Sequence, residues 1–479
     1  MGRIYSIFII AFLLVTSIFV SCADDDSFTL SSSKLLTLSV DTINMDTVFS
    51  TIPTSTQSFW IYNHSGDGIR CSSVRLTRGN QSGFRVNVDG IYLGDANGYQ
   101  TTDIEVRDGD SIRVFVELTS KRNGKETPIL VEDNLLFSLE SGVEQRVILQ
   151  AHSWDADIYD NLLITEDQTI DTRRPMIINK GITIAENATL RIVAGSTLYF
   201  QSDAGMDVYG TLLTEGTADK NVCLRGVRTD NMFDYLPYDL VSGQWKGIVL
   251  HDTSYGNRLL FTDIHSTMDG VVCDSSDVSI TKLTMEQSTI HNCQGDGLKS
   301  TACKIIMRNT QITNTLGDCL HIKGGDVELQ HCTLAQFYPF DANRGNALYF
   351  ANQLANPINI RCFNSLITGY AEDLVLGEKD HEETAFEYFF DTCILRTPRV
   401  EDTEHFNAII WEDPKDTVAV GEKHFILVDG DSQHYDYHLS ESSPAIGKAN
   451  PLYALPIDRE GRERNKDAAC IGAYEFIKP

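Results

Sequence analysis

Asp296-Gly297-Leu298, Asn309-Thr310-Gln311-Ile312, Asp318-Cys319-Leu320 and His331-Cys332-Thr333-Leu334 succeed one another as two copies of one two-part pattern. In the first part a polar residue and a small one precede an aliphatic. In the second a polar stretch leads to another aliphatic. The first part recurs on either side as Lys246-Gly247-Ile248, Asp269-Gly270-Val271, Asn346-Ala347-Leu348 and Glu372-Asp373-Leu374. The second recurs as Phe261-Thr262-Asp263-Ile264, Gln287-Ser288-Thr289-Ile290, Asn364-Ser365-Leu366-Ile367 and Asp391-Thr392-Cys393-Ile394. Irregular intervals near about two dozen residues mark a repeat architecture. Neither part can bury its aliphatic side chain alone, whereas stacked coils about 4.8 Å apart bury them as columns and pair each backbone group with its neighbours. Ile248, Val271, Leu298, Leu320, Leu348 and Leu374 are therefore expected to lie above one another. Insertions such as Phe337 to Arg344 are expected to bulge outward. The pattern predicts a right-handed parallel β-helix over 152–398, with a closing segment over 399–479.

Upstream, over 35–151, the period changes to strict alternation, as in Phe84-Arg85-Val86-Asn87-Val88 and Ser111-Ile112-Arg113-Val114-Phe115-Val116. Alternation buries one face of a strand and wets the other. Several such runs separated by Asn-Gly and Asp-Gly turns predict an immunoglobulin-like β-sandwich, so the fold class is all-β throughout.

The N-terminus carries Arg3, an apolar run from Ile4 to Val20, and Ser21-Cys22. This is the layout of a secretion signal over 1–21 followed by a tether over 22–34. The chain has 479 residues, with 67 acidic against 39 basic side chains and a formal charge of −28. Such a surface repels phosphate backbones and argues against nucleic acid as a partner. Of the 11 cysteines, ten remain once Cys22 is set aside. Cys273, Cys303, Cys319, Cys332, Cys362 and Cys393 occupy positions where neighbouring repeats place Val, Ile, Ser, Thr or Ala, so they read as small core residues. No cysteine or histidine spacing suggests a metal site, and no cofactor is expected.

The junction at Cys22 resembles the lipobox at which a diacylated cysteine becomes the new N-terminus. Ala23-Asp24-Asp25-Asp26 resembles the export signal of Bacteroidetes surface lipoproteins. That resemblance implies lipidation at Cys22, an outer-membrane anchor and exposure at the cell surface. The order Phe59-x-x-x-Asn63-x-x-Gly66 with a closing Val147-Ile148-Leu149-Gln150-Ala151 resembles bacterial Ig-like spacer domains. Gly195-Ser196-Thr197-Leu198-Tyr199-Phe200 and Gly243-Gln244-Trp245-Lys246-Gly247-Ile248 resemble the opening rungs of bacterial β-helix proteins. Ser443-Pro444-Ala445-Ile446-Gly447, Asp458-x-x-Gly461-Arg462 and Ile471-Gly472-Ala473-Tyr474-Glu475 resemble a choice-of-anchor-Q closing segment. These resemblances imply architecture, and the fold hosts lyases, hydrolases, adhesins and silent surface proteins alike. Asp41-Thr42-Ile43, Asp46-Thr47-Val48, Asp110-Ser111-Ile112 and Asp416-Thr417-Val418 resemble O-glycosylation acceptor sites of the same bacteria.

The register also places polar side chains. Asp296, Asp318, Lys299, His321 and Tyr349 are expected on one exposed face, with Asn346 beside them and Lys323 one alternation further along. Carboxylates on adjacent coils at about 5 Å suit a paired acid and nucleophile. Lys299 or His321 would suit a base that removes a proton next to a uronate carboxylate. Tyr349 would stack on a sugar ring, with Asn346 and Lys323 as further ligand contacts. A solvated strand face carrying turn-forming Asp residues explains the same pattern without any ligand. His291 and His331 are expected in turns or at the solvated surface. The leading expectation is a non-catalytic surface lipoprotein presenting its rod to glycan or protein. The rival is a polysaccharide lyase or glycoside hydrolase acting on an extracellular glycan.

Overall fold

The computed structural model describes residues 27–233, 235–412 and 421–478. Cys22 with its signal segment, and Asp416-Thr417-Val418, lie outside the described residues. Among the described residues, no helix is long and apolar enough to cross a membrane. The chain is all-β and divides into two units, one ending at Trp154 and one beginning at Asp155.

The first unit is built from two sheets that share one core. In one sheet Gln57–Tyr62, Ser111–Leu118, Phe84–Val88 and Ile91–Leu93 pair antiparallel in that order. In the other, Glu144–Trp154 lies between Thr42–Phe49, to which it is parallel, and Ile129–Leu139. Alternation decides what is buried: Phe59 and Ile61 point inward while Trp60 between them stays 39% exposed. Ile112, Val114, Val116 and Leu118 fill the same core.

The second unit is a parallel β-helix wound from three strands per coil. The first strands carry the expected column: Ile248 pairs in register with Val271, then Leu298, Leu320 and Leu348. The last step differs, because Leu348 pairs with Val375 and not Leu374. Leu374 is buried all the same, its carbonyl accepting the Leu348 N–H at 3.0 Å. The second part of the repeat shows the same one-residue slip. Ile264, Ile290, Ile312, Leu334 and Ile367 form one column, but Ile367 pairs with Leu395 and Ile394 pairs with Leu366. Between these two parts lies a strand that the two-part reading omits. It is exemplified by Thr281–Glu286, the second half of Leu298–Arg308, and Ile358–Phe363. Its inward residues Leu283, Ile305, Val327 and Ile360 join the same core. Variable linkers such as Asp274–Ile280 precede it and blur its spacing in the sequence.

The corner before each third strand holds a non-glycine residue in the left-handed region. Phe261, Gln287, Asn309, His331, Asn364 and Thr392 have φ between 44° and 53° and form one column. All six are buried. This column locates the slip, since it contains Thr392 where the repeat pattern placed Asp391. His331 is thus a turn residue as expected but not a solvated one; it is 0% exposed, and burial together with Arg464 holds its imidazole well below the usual range.

The ten described cysteines are unpaired, and the six in the repeats are buried as core residues. The closing segment seals the corner column. Asn364 accepts the Asn450 N–H at 2.7 Å and donates to the Asn450 carbonyl at 3.1 Å. Buried Arg464 donates to Asn309 Oδ1 at 2.8 Å and to the carbonyls of Gly472 and Ala473. Phe337, expected to bulge outward, is instead fully buried against Tyr370, Phe425 and Tyr437; the insertion emerges only further on, at Phe340.

The end of the winding is tied to the closing segment by a buried pair. His424 Nε2 meets Glu412 Oε1 at 2.7 Å, and Thr368 donates to Glu412 Oε2 at 2.6 Å. Burial alone would raise the Glu412 carboxyl, but His424 and Thr368 outweigh it and hold it below its ordinary 4.5. A carboxyl depressed on folding contributes stability above its unfolded value and loses it as pH falls through the folded one. Stability is therefore expected to decline as pH drops below about 4.5. Glu412→Gln is expected to lower stability at neutral pH and flatten that decline, read by denaturant melts across pH; an unchanged acid slope would refute the assignment.

Candidate functional site

The structure brings together most of the face picked out in the sequence, but not as an exposed one. Asp296 and Asp318 side chains are only 13% and 11% exposed. They cap corners: Asp296 Oδ1 accepts the Asp318 N–H at 2.8 Å, and Asp318 Oδ1 accepts the Asn346 N–H at 2.6 Å and its side-chain amide at 3.0 Å. Asp269 does the same for Asp296. His321 Nδ1 contacts Asp318 Oδ2 at 2.6 Å, while its Nε2 is buried without a partner among the described residues. Tyr349 is 8% exposed, stacks on His321 at 4.5 Å between centroids, and donates to Glu378 at 2.7 Å. Its ring is covered, so it is not the open sugar platform the sequence suggested. Lys299 lies 3.7 Å from Asp296 Oδ2. Lys323 sits further along the strand between Thr301 and Ala351 and bonds to none of the cluster. Burial lifts the Asp296 carboxyl, with the Asp318 N–H, His321 and Lys299 opposing and the Asp318 charge assisting.

A cleft of about 770 Å3 opens elsewhere, on the third-strand face, between the winding and the closing segment. One wall offers Asp263, His291, Thr289, Gln311 and Thr313, which alternate outward with the buried Ile264, Ile290 and Ile312. The other offers Tyr435, Asp436, His438, Arg459, Glu460 and Tyr474. Asp219, His434 and Arg462 line it where it meets solvent. The two walls are pinned together: Arg459 Nε donates to Thr289 Oγ1 at 2.9 Å, and Tyr474 donates to Gln311 Oε1 at 2.6 Å. His438 packs on Tyr474 and meets Glu460 Oε1 at 3.2 Å, while Arg462 meets Glu460 Oε2 at 2.5 Å.

Behind the first wall runs a chain of alternating charge. Arg225 meets Asp239 Oδ1 at 2.6 Å, and the same oxygen meets His265 Nε2 at 2.8 Å. His265 Nδ1 meets Asp263 Oδ1 at 2.6 Å, and His291 Nε2 reaches that oxygen at 3.3 Å. The two imidazoles stack at 4.7 Å because their residues are in register on adjacent coils. Burial pulls His265 down, but Asp263 and Asp239 on its two nitrogens outweigh it and lift it to about 9. Burial would raise Asp263, yet His265 and His291 hold it well below the carboxylate range.

None of these cleft residues was proposed as a site residue from sequence, and His291, expected in a turn or at the surface, lies instead on the strand Thr289–Cys293. The available signal was the residue after each inward isoleucine, Ile264-His265 and Ile290-His291. The opposite wall was visible only as the closing-segment motifs around Arg462 and Tyr474, which carry no signal that they face strands from the middle of the chain.

No protein-family model matches the chain, and no curated protein matches it. Solved structures with some likeness include the pectate lyase Pel9A, with 11% identity over 68% of this chain and 88% of that one at a TM-score of 0.31. The catalytic domain of a GH87 α-1,3-glucanase has 9% identity over 75% and 87% at 0.29. A family 123 glycoside hydrolase from Clostridium perfringens has 9% identity over 27% of this chain and 26% of that one at 0.18, so this chain spans about a quarter of its length.

The corner carboxylates act on stability. Asp318→Ala strands the Asn346 N–H and the His321 ring, so a loss of about 1–3 kcal/mol is expected in denaturant melts. Lys323→Ala is expected to stay within about 0.5 kcal/mol. Equal effects from the two substitutions would contradict the capping role.

Proposed function

We propose that the protein acts on an extracellular polysaccharide, taking a stretch of it into the cleft between the winding and the closing segment and cleaving it there as a lyase or glycoside hydrolase. The observation that carries this reading is the convergence of carboxylates from two separately built walls, Asp263 on one and Asp436 and Glu460 on the other, in one polar cleft. Tyr474 lines the same cleft as Asp263 and Glu460 and is bonded across it to Gln311. His291, oriented by Asp263, is the side-chain type that takes and gives protons near neutral pH. Arg459 and Arg462 supply positive charge for an acidic sugar, and the cleft has the size of ordinary small-ligand sites.

A second reading is capture without cleavage. It is favoured by Asp263 being flanked by His265 and His291, which outweigh its burial, stabilise its ionised form and leave it no proton to donate. The sequence motifs at Cys22 and Asp24-Asp25-Asp26 support display of either activity by a lipid anchor at the cell surface.

Incubation of the protein with plant, host and bacterial glycans is expected to release new unsaturated or reducing ends. Asp263→Asn and Glu460→Gln are each expected to reduce that release by 100-fold or so, in keeping with the usual worth of a proton-transfer group. Lys299→Ala, outside the cleft, is expected to leave it unchanged. Retained glycan binding with no new ends selects capture; full activity in both cleft variants removes the cleft as the site. Protease treatment of intact cells is expected to degrade the protein, and protection would contradict surface display.

A further inference from the structure

We infer that Asp263, His265 and His291 form a binding site for one divalent transition ion of the zinc type, on the cleft wall. Asp263 Oδ1 meets His265 Nδ1 at 2.6 Å and His291 Nε2 at 3.3 Å, and each of the three residues offers one ligand atom within 4.8 Å of those of the other two. Two imidazoles and a carboxylate are the donor set that zinc and its neighbours prefer, whereas calcium and magnesium take oxygen cages. Bonds of about 2.0–2.1 Å to an ion between them need only widen the 2.6 Å His265–Asp263 contact by some tenths of an ångström.

The surroundings supply the independent support. A histidine that binds a metal through one ring nitrogen characteristically donates its other N–H to a carboxylate, which fixes its tautomer. His265 is arranged this way: Nδ1 faces Asp263 Oδ1 and Nε2 faces Asp239 at 2.8 Å, with Asp239 steadied by Arg225. His265 is 6% exposed and rigidly held, whereas Asp263 and His291 line the cleft. An ion there has three protein ligands on one side and open space on the other, the layout of a site that keeps a position for water or substrate. Asp263 and His265 lie two residues apart on one strand, and the parallel register brings His291 of the next coil beside them.

A second group, Asp296, Asp318 and His321, has similar composition but differs in how its oxygens are used. Asp296 Oδ1 and Asp318 Oδ1 already accept backbone N–H groups that would be stranded if those oxygens turned to a metal. The inference is independent of whether the cleft takes glycan.

Zinc chloride titrated into the metal-stripped full chain is expected to bind with one ion per chain, and cobalt(II) in its place to give the visible absorption of a low-coordinate site. His291→Ala and Asp263→Asn are expected to weaken zinc binding by more than 100-fold, and Asp239→Asn by about 10–100-fold. His321→Ala is expected to leave it unchanged. Zinc is expected to raise the melting temperature of the native chain and of His321→Ala but not of His291→Ala, which separates lost binding from lost folding. Equal affinity in the native chain and His291→Ala, or loss of binding in His321→Ala alone, overturns the assignment. Either result leaves the glycan assay to be judged on its own.

Discussion

The column of left-handed corners at Phe261, Gln287, Asn309, His331, Asn364 and Thr392 is the constraint on which the rest of the β-helix depends. A residue other than glycine gives up roughly 1–2 kcal/mol in that conformation, so each corner needs compensation from its surroundings. Parallel pairing supplies part of it, because the N–H of one corner bonds to the coil above, as from Asn309 to the Gln330 carbonyl and from Asn364 to the Asp391 carbonyl. The hydroxyls that follow the corner add more: Ser288 donates to the Leu259 carbonyl, and Ser365 accepts the Cys332 N–H. Repeating one corner in every coil keeps the third strands in phase. With side chains alternating about that phase, Ile264, Ile290 and Ile312 go inward while Asp263, His265 and His291 face the opposite way.

The corner column also explains why the chain continues past its last coil. Stacked amides and an imidazole at the corners are buried, and buried polar groups need partners. The closing segment provides them through Asn450, Ile457 and Arg464, which bond to Asn364 and Asn309. Arg464 in turn holds the carbonyls of Cys470, Gly472 and Ala473, so a single buried guanidinium organises the stretch that carries Tyr474. The second wall of the cleft is thus a by-product of satisfying the first wall's corners.

Fold class and the inward columns were legible in the sequence because burial imposes a period on aliphatic residues that no other constraint imitates. The first five members of the Ile248 column pair as read, and the error at Leu374 and Ile394 arose where the motif degenerates to Glu372-Asp373-Leu374 and Asp391-Thr392-Cys393. There the hydrogen-bonded corner, not the hydrophobic letter, fixes the register. Asp296, Asp318 and His321 were correctly placed together for the same reason of register. Their exposure was misread because sequence shows that an aspartate precedes a small residue, Gly297 or Cys319, not that its carboxylate folds back onto the N–H of the next coil. The cleft was illegible from either end: half of it depends on contacts between Thr289 and Arg459 and between Gln311 and Tyr474, which no local pattern encodes.

The two polar clusters differ in what their hydrogen-bonding capacity is committed to. Asp318 has both oxygens engaged by groups of the chain itself, two donors from Asn346 on one and His321 on the other. A ligand taking Oδ1 would undo a corner, and one taking Oδ2 would have to displace His321. Asp263 engages only side chains, His265 and His291, and those imidazoles can exchange a carboxylate for an ion or a substrate without breaking any backbone pairing. Groups that the fold needs for its own backbone are poor places to build chemistry, and groups held only by other side chains are good ones. The winding therefore commits its first-strand corners to its own backbone and leaves the outward side chains Asp263 and His291 of its third-strand face, where a distant segment completes the cleft, without such a commitment.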